Sequence, residues 1–246
     1  MREKVSFGFR DVSPDEKTSL VRGVFSQVAS RYDLMNDVMS FGVHRLWKDI
    51  LIERIHPEKN QHLLDVAGGT GDIAFRFLKA APQTHVTVCD INQDMLTVGC
   101  QREEAKKLRH RLNWVCADAS SLPLNSDMFD VYTISFGLRN ETDIPGALRE
   151  AYRVLKPGGI YFCLEFSKVT LPFLDHLYHH YRFRVIPKLG QWIAQEAQPY
   201  QYLAESIERF PKQDILQKMI QDAGFAHTSY ENLWGGMAAI HKGWKL

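Results

Sequence analysis

The stretch that decides the fold is His62-Leu63-Leu64-Asp65-Val66-Ala67, running into Gly68-Gly69-Thr70-Gly71. An apolar run broken by one acid reads as a buried strand. The glycines then let the backbone turn tightly and approach a ligand closely. A helix to about Ala80 follows. Downstream the pattern repeats: strands are expected at 85–90, 113–118, 129–136 and 159–166. Helices are expected at 93–109 and 143–155, the second stopping at Lys156-Pro157-Gly158-Gly159. Strands alternating with helices predict a parallel sheet covered on both faces.

Upstream, Ser13-Pro14-Asp15-Glu16 reads as a capping box with proline at the first helical position. Leu20, Val21, Val24, Phe25, Val28 and Ala29 recur with helical period, and a second amphipathic stretch runs from about His44 to Ile55. Two or three helices therefore precede the first good strand. After Phe166, residues 167–210 are rich in aromatics and histidine and show no clear strand. A helix from about Lys212 ends at Gly224. Two terminal strands with a short link then suit an antiparallel hairpin.

The chain has 246 residues, 45% hydrophobic and 24% charged, which excludes disordered and fibrous classes. Thirty Lys and Arg against 29 Asp and Glu leave a net charge of +1, so no general basic surface for nucleic acid exists. No uncharged run is long enough to span a membrane, and the N-terminal MREKVSFGFRDVSPDEK lacks an apolar signal core. A cytoplasmic location without a targeting segment is expected. Cys89, Cys100, Cys116 and Cys163 have no metal-ligand spacing and read as reduced packing residues.

The ligand end of the sheet carries acids. Asp65 sits in an apolar strand, where an unpaired charge is costly, so it needs loop amides or a cationic ligand as partner. Asp90 ends the second strand, nineteen residues after Gly71, where an acid can take both ribose hydroxyls. Asp118 ends the third strand. The loop Gly69-Thr70-Gly71-Asp72-Ile73-Ala74 also matches a dinucleotide fingerprint. Against that, Asp65 would repel a pyrophosphate, and Asp72 opens the helix where phosphate needs free amides. S-adenosylmethionine, with a sulfonium, an amino-acid head, a ribose and an adenine, fits three acids at strand ends better. A dinucleotide and a purely structural glycine turn remain the alternatives.

The motifs then carry a family likeness. FSQVASRYDLMNDVMSFGVHRLWK (25–48), LLDVAGGTGDIA (63–74), ISFGLRN (134–140), RVLKPGG (153–159), CLEFS (163–167), YQYLAESIERFP (200–211) and AIHKGWKL (239–246) resemble the ubiquinone/menaquinone biosynthesis C-methyltransferase family, within the class I S-adenosylmethionine-dependent methyltransferases. The resemblance spans residues 5–246 or so. It implies an α/β, Rossmann-like fold: a seven-stranded, mostly parallel sheet with a C-terminal antiparallel hairpin, plus N-terminal helices and a helical insertion. One methyltransferase domain, 1–246, would carry an N-terminal helical lid (1–60) and a substrate-side insertion (167–210). The implied activity is C-methylation of a polyprenylated 6-methoxy-1,4-benzoquinol, with demethylmenaquinol as a second acceptor and another small aromatic or lipid as the alternative. The family's cofactor positions fall on Thr70, Asp90, Asp118, Ala119 and Ser135. Asp65, Gly69 and Gly71 join them from the loop reading. Two departures stand out: Ala67 replaces the usual first glycine, and some relatives have Asn at Asp118.

An aromatic carbon is a poor nucleophile, so the ring hydroxyl must ionise and the substrate must be the reduced quinol. The site then needs a base or water relay and a group that stabilises phenolate. Arg139 and Asn140 follow the fourth strand, on the rim where such sheets bind ligands. Arg139 is a poor base, since its pKa is above about 12, and is assigned to phenolate stabilisation. Asn140 would orient a ring oxygen, and Tyr32, with Asp33 and Asn36, would close over the ring. Ion pairing, capping and plain packing are the competing roles of Arg139, Asn140 and Tyr32.

His176, His179 and His180 have helical spacing, but nothing completes a metal set, so no metal is expected. Segment 171–193 interleaves aromatics with Arg182, Arg184 and Lys188, which suits a tail-binding wall touching anionic headgroups or an ordinary solvated face. Expected partners are a prenylated quinol, a membrane surface met peripherally at the inner face, other quinone-biosynthesis enzymes and a second copy of the chain. A nucleic-acid methylase is disfavoured, because Ser135-Phe136-Gly137-Leu138 lacks the proline pair such enzymes carry. A scaffold that binds quinone lipids without catalysis is the remaining rival.

Overall fold

A computed structural model describes residues 4–28, 37, 40, 42–170, 172–185 and 198–246. The chain opens with a small hairpin, β1 (Val5–Phe7) and β2 (Arg10–Val12), paired antiparallel. Helix α1 (Pro14–Val28) and helix α2 (His44–Ile55) follow. The Ser13 hydroxyl accepts the Glu16 amide at 3.3 Å, so Ser13 caps α1. The alternating core is β3 (His62–Val66), α3 (Asp72–Ala80), β4 (His85–Asp90), α4 (Gln93–Gln101), α5 (Glu103–Leu108), β5 (Leu112–Cys116), β6 (Phe129–Ser135), α6 (Ile144–Val154) and β7 (Leu155–Phe166). Helices α7 (Pro172–His180), α8 (Gln198–Arg209) and α9 (Gln213–Asp222) precede the terminal strands β8 (Ala226–Leu233) and β9 (Ala238–Trp244).

The seven-stranded sheet has the order β5-β4-β3-β6-β7-β9-β8. Strands β3 to β7 are parallel, while β9 lies antiparallel between β7 and β8. Successive side chains of a strand face opposite ways. Leu63, Val131 and Phe162 therefore pack under α2 and α3, and Leu64, Tyr132 and Tyr161 pack with the apolar faces of α6 and α9. A third, smaller cluster joins Phe7, Val12, Val21 and Val24 to Tyr202 of α8.

Four expectations need correction. The N-terminal region is not purely helical, because a three-residue hairpin precedes α1. The helix expected at 93–109 breaks at Arg102, whose extended backbone (ψ 144°) lets its guanidinium sit 4.7 Å over the Phe75 ring. Strand β7 starts at Leu155, and Lys156–Gly159 form an irregularity inside it, where pairing steps from Phe129↔Leu155 to Val131↔Ile160. Asp118 lies two residues beyond the end of β5. Among the described residues of 167–210 there is no strand, and no described helix is long and apolar enough to cross a membrane.

Candidate functional site

Strand order reverses between β3 and β6, which is where such sheets open a crevice beyond their carboxyl ends. Both strands leave the sheet through left-handed residues, Ala67 (φ 49°) and Phe136 (φ 58°). Neither is glycine, so each turn holds strain of roughly 1–3 kcal/mol that its surroundings must support. The two turns touch: a Cβ on Gly137 would stand 2.3 Å from the Ala67 Cβ. Gly71 caps α3 with φ 85°, a conformation glycine takes without cost.

Over this crevice lies a half-open cavity. Its floor is Gly69, Asp90, Asn92 and Asp118, and its far wall is Phe136, Gly137, Asn140, Glu141 and Thr142. Thr18, Val21, Arg22 and Phe25 of α1 form the roof. Polar contacts tie the roof down at both ends. Asn92 Nδ2 donates to Arg22 O (3.2 Å) and Ser26 Oγ (3.1 Å). Lys17 Nζ donates to Glu141 O at 2.7 Å, and the hydroxyls of Thr18 and Thr142 lie 3.1 Å apart.

Asp90 accepts the Gly69 amide at 2.9 Å and the Asn92 amide at 2.8 Å, which leaves lone pairs facing the cavity. Burial pushes its carboxyl up to about 6 despite those amides. Glu141, which the sequence reading did not single out, lines the same cavity. Burial, then the charges of Asp118 and Asp90, push it up to about 8, with Lys17 opposing. Asp118 accepts the amide and hydroxyl of Ser120, at 2.8 and 2.7 Å, and Ala119 is buried beside it. A pocket lined by Asp90, Asp118 and a Glu141 held protonated near neutral pH disfavours pyrophosphate and suits a cationic ligand.

Asp65 does not reach the loop amides. Its Oδ1 accepts the Thr133 hydroxyl at 2.8 Å from the neighbouring strand, and its Oδ2 has no partner. Ser135 Oγ, at the end of β6, is also buried without a partner, and Thr70 is buried nearby. Asp72 accepts Lys48 Nζ at 2.8 Å and Arg76 Nε at 3.2 Å. Burial alone would raise the Asp72 carboxyl, but these cations hold it below its ordinary value. The start of α3 is thus already occupied by a carboxylate.

The candidate catalytic residues separate. Asn140 faces the large cavity, and its Oδ1 accepts the Tyr202 hydroxyl at 3.0 Å. Arg139 is 5% exposed and does not line that cavity. Its Nη1 donates to Glu165 Oε1 at 2.6 Å and to Phe136 O at 2.5 Å, and its guanidinium lies over the Phe166 ring. Tyr32, Asp33 and Asn36 lie outside the described residues. His176, His179 and His180 are exposed, and no group of metal-ligating side chains occurs among the described residues. The four cysteines are free, Cys89 and Cys163 buried.

Orphaned buried acceptors beside a glycine cradle, and a carboxylate set suited to ribose and cation, fit S-adenosylmethionine. The fold and site define a class I S-adenosylmethionine-dependent methyltransferase. Solved structures of the same fold include a Thermotoga maritima S-adenosylmethionine-dependent methyltransferase (TM-score 0.64, 19% identity, 92% of this chain and 100% of that one). Another is a phosphoethanolamine N-methyltransferase of Haemonchus contortus, in complex with S-adenosyl-L-methionine (TM-score 0.55, 21% identity, 76% of this chain and 38% of that one). The chain belongs to the ubiE/COQ5 methyltransferase family, whose model matches residues 5–245. It is 55% identical to the ubiquinone/menaquinone biosynthesis C-methyltransferase of Paracoccus denitrificans, over 99% of this chain and 98% of that protein. It is 48% identical to the mitochondrial 2-methoxy-6-polyprenyl-1,4-benzoquinol methylase of Danio rerio, over 98% of this chain and 84% of that protein.

Proposed function

We propose that this chain methylates a ring carbon of a prenylated quinol in ubiquinone and menaquinone biosynthesis, with S-adenosylmethionine as donor. The observation that carries the reading is the large cavity at the strand-order reversal. Three carboxyl side chains line it, Phe25 and Phe136 give it apolar surface, and an amide, Asn140, faces it. When bound, S-adenosylmethionine supplies an electrophilic methyl group on a sulfonium. Asp90 would take the ribose hydroxyls, Asp118 and Ala119 the adenine, and the loop Gly69–Gly71 with Thr70 and Ser135 the remainder.

Asn140 would hold a quinol oxygen; Tyr202 already occupies its Oδ1 and so sets which way the amide points. Arg139 serves this step through the backbone: it bonds Phe136 O and Glu165 and so fixes the turn that carries Asn140. Tyr32 is retained as a candidate for closing over the ring. Helix α1 excludes water, which favours an in-line transfer and suppresses hydrolysis.

A membrane surface is the proposed source of the prenylated substrate. Phe173 of α7 is 84% exposed, and Arg184 is exposed, in keeping with a peripheral contact. Arg182 does not belong to that surface: it is buried, with Nη2 2.9 Å from Glu208 Oε2. The test of function is transfer of labelled methyl to reduced short-chain benzoquinol and naphthoquinol, with the oxidised quinones as controls. Transfer to a quinol alone supports the reading, and failure with every quinol in a folded, cofactor-binding preparation overturns it.

A further inference from the structure

A separate open pocket lies beyond the end of β7 and shares none of its described lining residues with the cofactor cavity. Its charged walls are Lys168, which follows β7, Arg182 of the π-helical turn Tyr181–Val185, Glu208 near the end of α8, and Lys212 at the start of α9. His179 of α7 also lines it. Distant stretches of the chain therefore bring three cations and one carboxylate to one place.

Arg182 is the anomaly among them, being only 3% exposed. Its Nη2 donates to Glu208 Oε2 at 2.9 Å, but Nε and Nη1 are buried without a hydrogen-bond partner among the described residues. A guanidinium keeps its charge at any ordinary pH, so it cannot escape this cost by losing a proton. The rings of Tyr178 and Phe183, 5.1 and 5.6 Å from its guanidinium carbon, hold it in place but offer no oxygen. Buried donors left unpaired are costly and mark a place for an acceptor.

The charge balance sets the sign of that acceptor. Burial alone would raise the Glu208 carboxyl, but Lys168 and Arg182 hold it below its ordinary value, so it stays ionised and cancels one cation. Lys168 Nζ donates to Glu208 O at 2.5 Å, which keeps its charge at the pocket wall. No side chain among the described residues caps the start of α9, and a helix start favours an anion. Asp214, in the first turn of α9, is exposed and does not line the pocket. The remaining positive charge calls for a dianion with oxygens pointing several ways, which a phosphoryl group supplies and a single planar carboxylate does not.

We propose that Arg182, Lys212 and the start of α9 form a binding site for a phosphoryl group, apart from the cofactor and acceptor sites. Lys168 adds charge from the wall. A free phosphate monoester and the headgroup of an acidic phospholipid both carry this chemistry. The site does not depend on which acceptor the enzyme methylates.

The test is calorimetric titration of the full chain with glycerol phosphate at constant ionic strength, beside sedimentation with phosphatidylcholine vesicles with and without phosphatidic acid. Arg182→Met combined with Glu208→Gln removes the buried charges as a pair and strands neither. It should weaken phosphoryl binding by about tenfold or more. Lys212→Ala alters only an exposed side chain and should weaken binding by about threefold. Affinity for S-adenosylhomocysteine should be unchanged in both, which shows that they fold, and if the double variant does not fold, Lys212→Ala alone decides. Saturable binding of glycerol phosphate that falls in the variants supports the site with a free phosphate as ligand. Recruitment to phosphatidic acid vesicles alone, lost in the variants, supports it with a lipid headgroup. A folded wild type that binds neither probe, or binding that the folded variants retain, overturns the proposal.

Discussion

Arg139 Nη1 lies 2.6 Å from Glu165 Oε1, and both side chains are almost wholly buried. Glu165 also accepts the Arg139 and Phe166 amides. Burial pushes the Glu165 carboxyl up, and Arg139 opposes this. Removing one partner strands the other charge, so Arg139→Met or Glu165→Gln should cost about 3–5 kcal/mol of stability. The double variant should cost less than the sum. Urea denaturation of all four proteins measures both, and a single-variant loss under about 1 kcal/mol would argue against a shared buried pair.

Tyr202 and Asn140 make the second pair to test. Tyr202→Phe removes one hydroxyl and leaves Asn140 Oδ1 unpaired, a stability cost of about 1–3 kcal/mol. If the amide orients the quinol, kcat should fall roughly tenfold while cofactor affinity holds. Steady-state kinetics beside S-adenosylhomocysteine titration separates the two, and an unchanged kcat would remove Asn140 from the reaction.

Gly137 has an ordinary φ of −113°, so only space constrains it. Gly137→Ala drives a methyl group into Ala67 and should destabilise the protein by about 1–3 kcal/mol. Because Ala67 and Gly137 both line the cofactor cavity, cofactor affinity should fall with it. Thermal melts with and without S-adenosylhomocysteine read the two losses.

His241 of β9 donates Nε2–H to Gln213 O at 2.9 Å and is buried without a partner for Nδ1. Burial lowers its pKa to about 4, with the Gln213 carbonyl opposing. The unfolded chain therefore binds this proton first as pH falls. Its stabilising contribution is complete above about 6.5 and is lost progressively toward pH 4. The buried acids Asp65, Asp90 and Glu141 act with the opposite sign, because their raised values make the unfolded chain release protons first as pH rises. The difference between wild type and His241→Gln isolates the histidine: the variant's urea midpoint should fall less between pH 6.5 and 4.5.

Strand-borne features were legible from sequence. Asp90 and the Gly68–Gly71 turn sit at strand ends set by apolar periodicity, and the antiparallel terminal hairpin followed from its short link. Contacts made across the fold were not. Arg139 and Glu165 are 26 residues apart and meet because β6 and β7 are neighbours. Tyr202 reaches Asn140 across 62 residues through the docking of α8. Glu141 carries no motif and becomes a wall residue only once Asp90 and Asp118 are brought beside it. The β1–β2 hairpin is too short for an alternating pattern to register.

The satellite cluster of Phe7, Val12, Val21 and Val24 with Tyr202 stands apart from the two sheet-face cores. Its members come from the opening hairpin, the roof helix and α8. Tyr200, Leu203 and Ile207 of the same α8 lie instead in the core on the α2–α3 face of the sheet. One helix thus rivets the roof to the sheet, and a change anywhere along α8 is felt at the Asn140 amide through Tyr202.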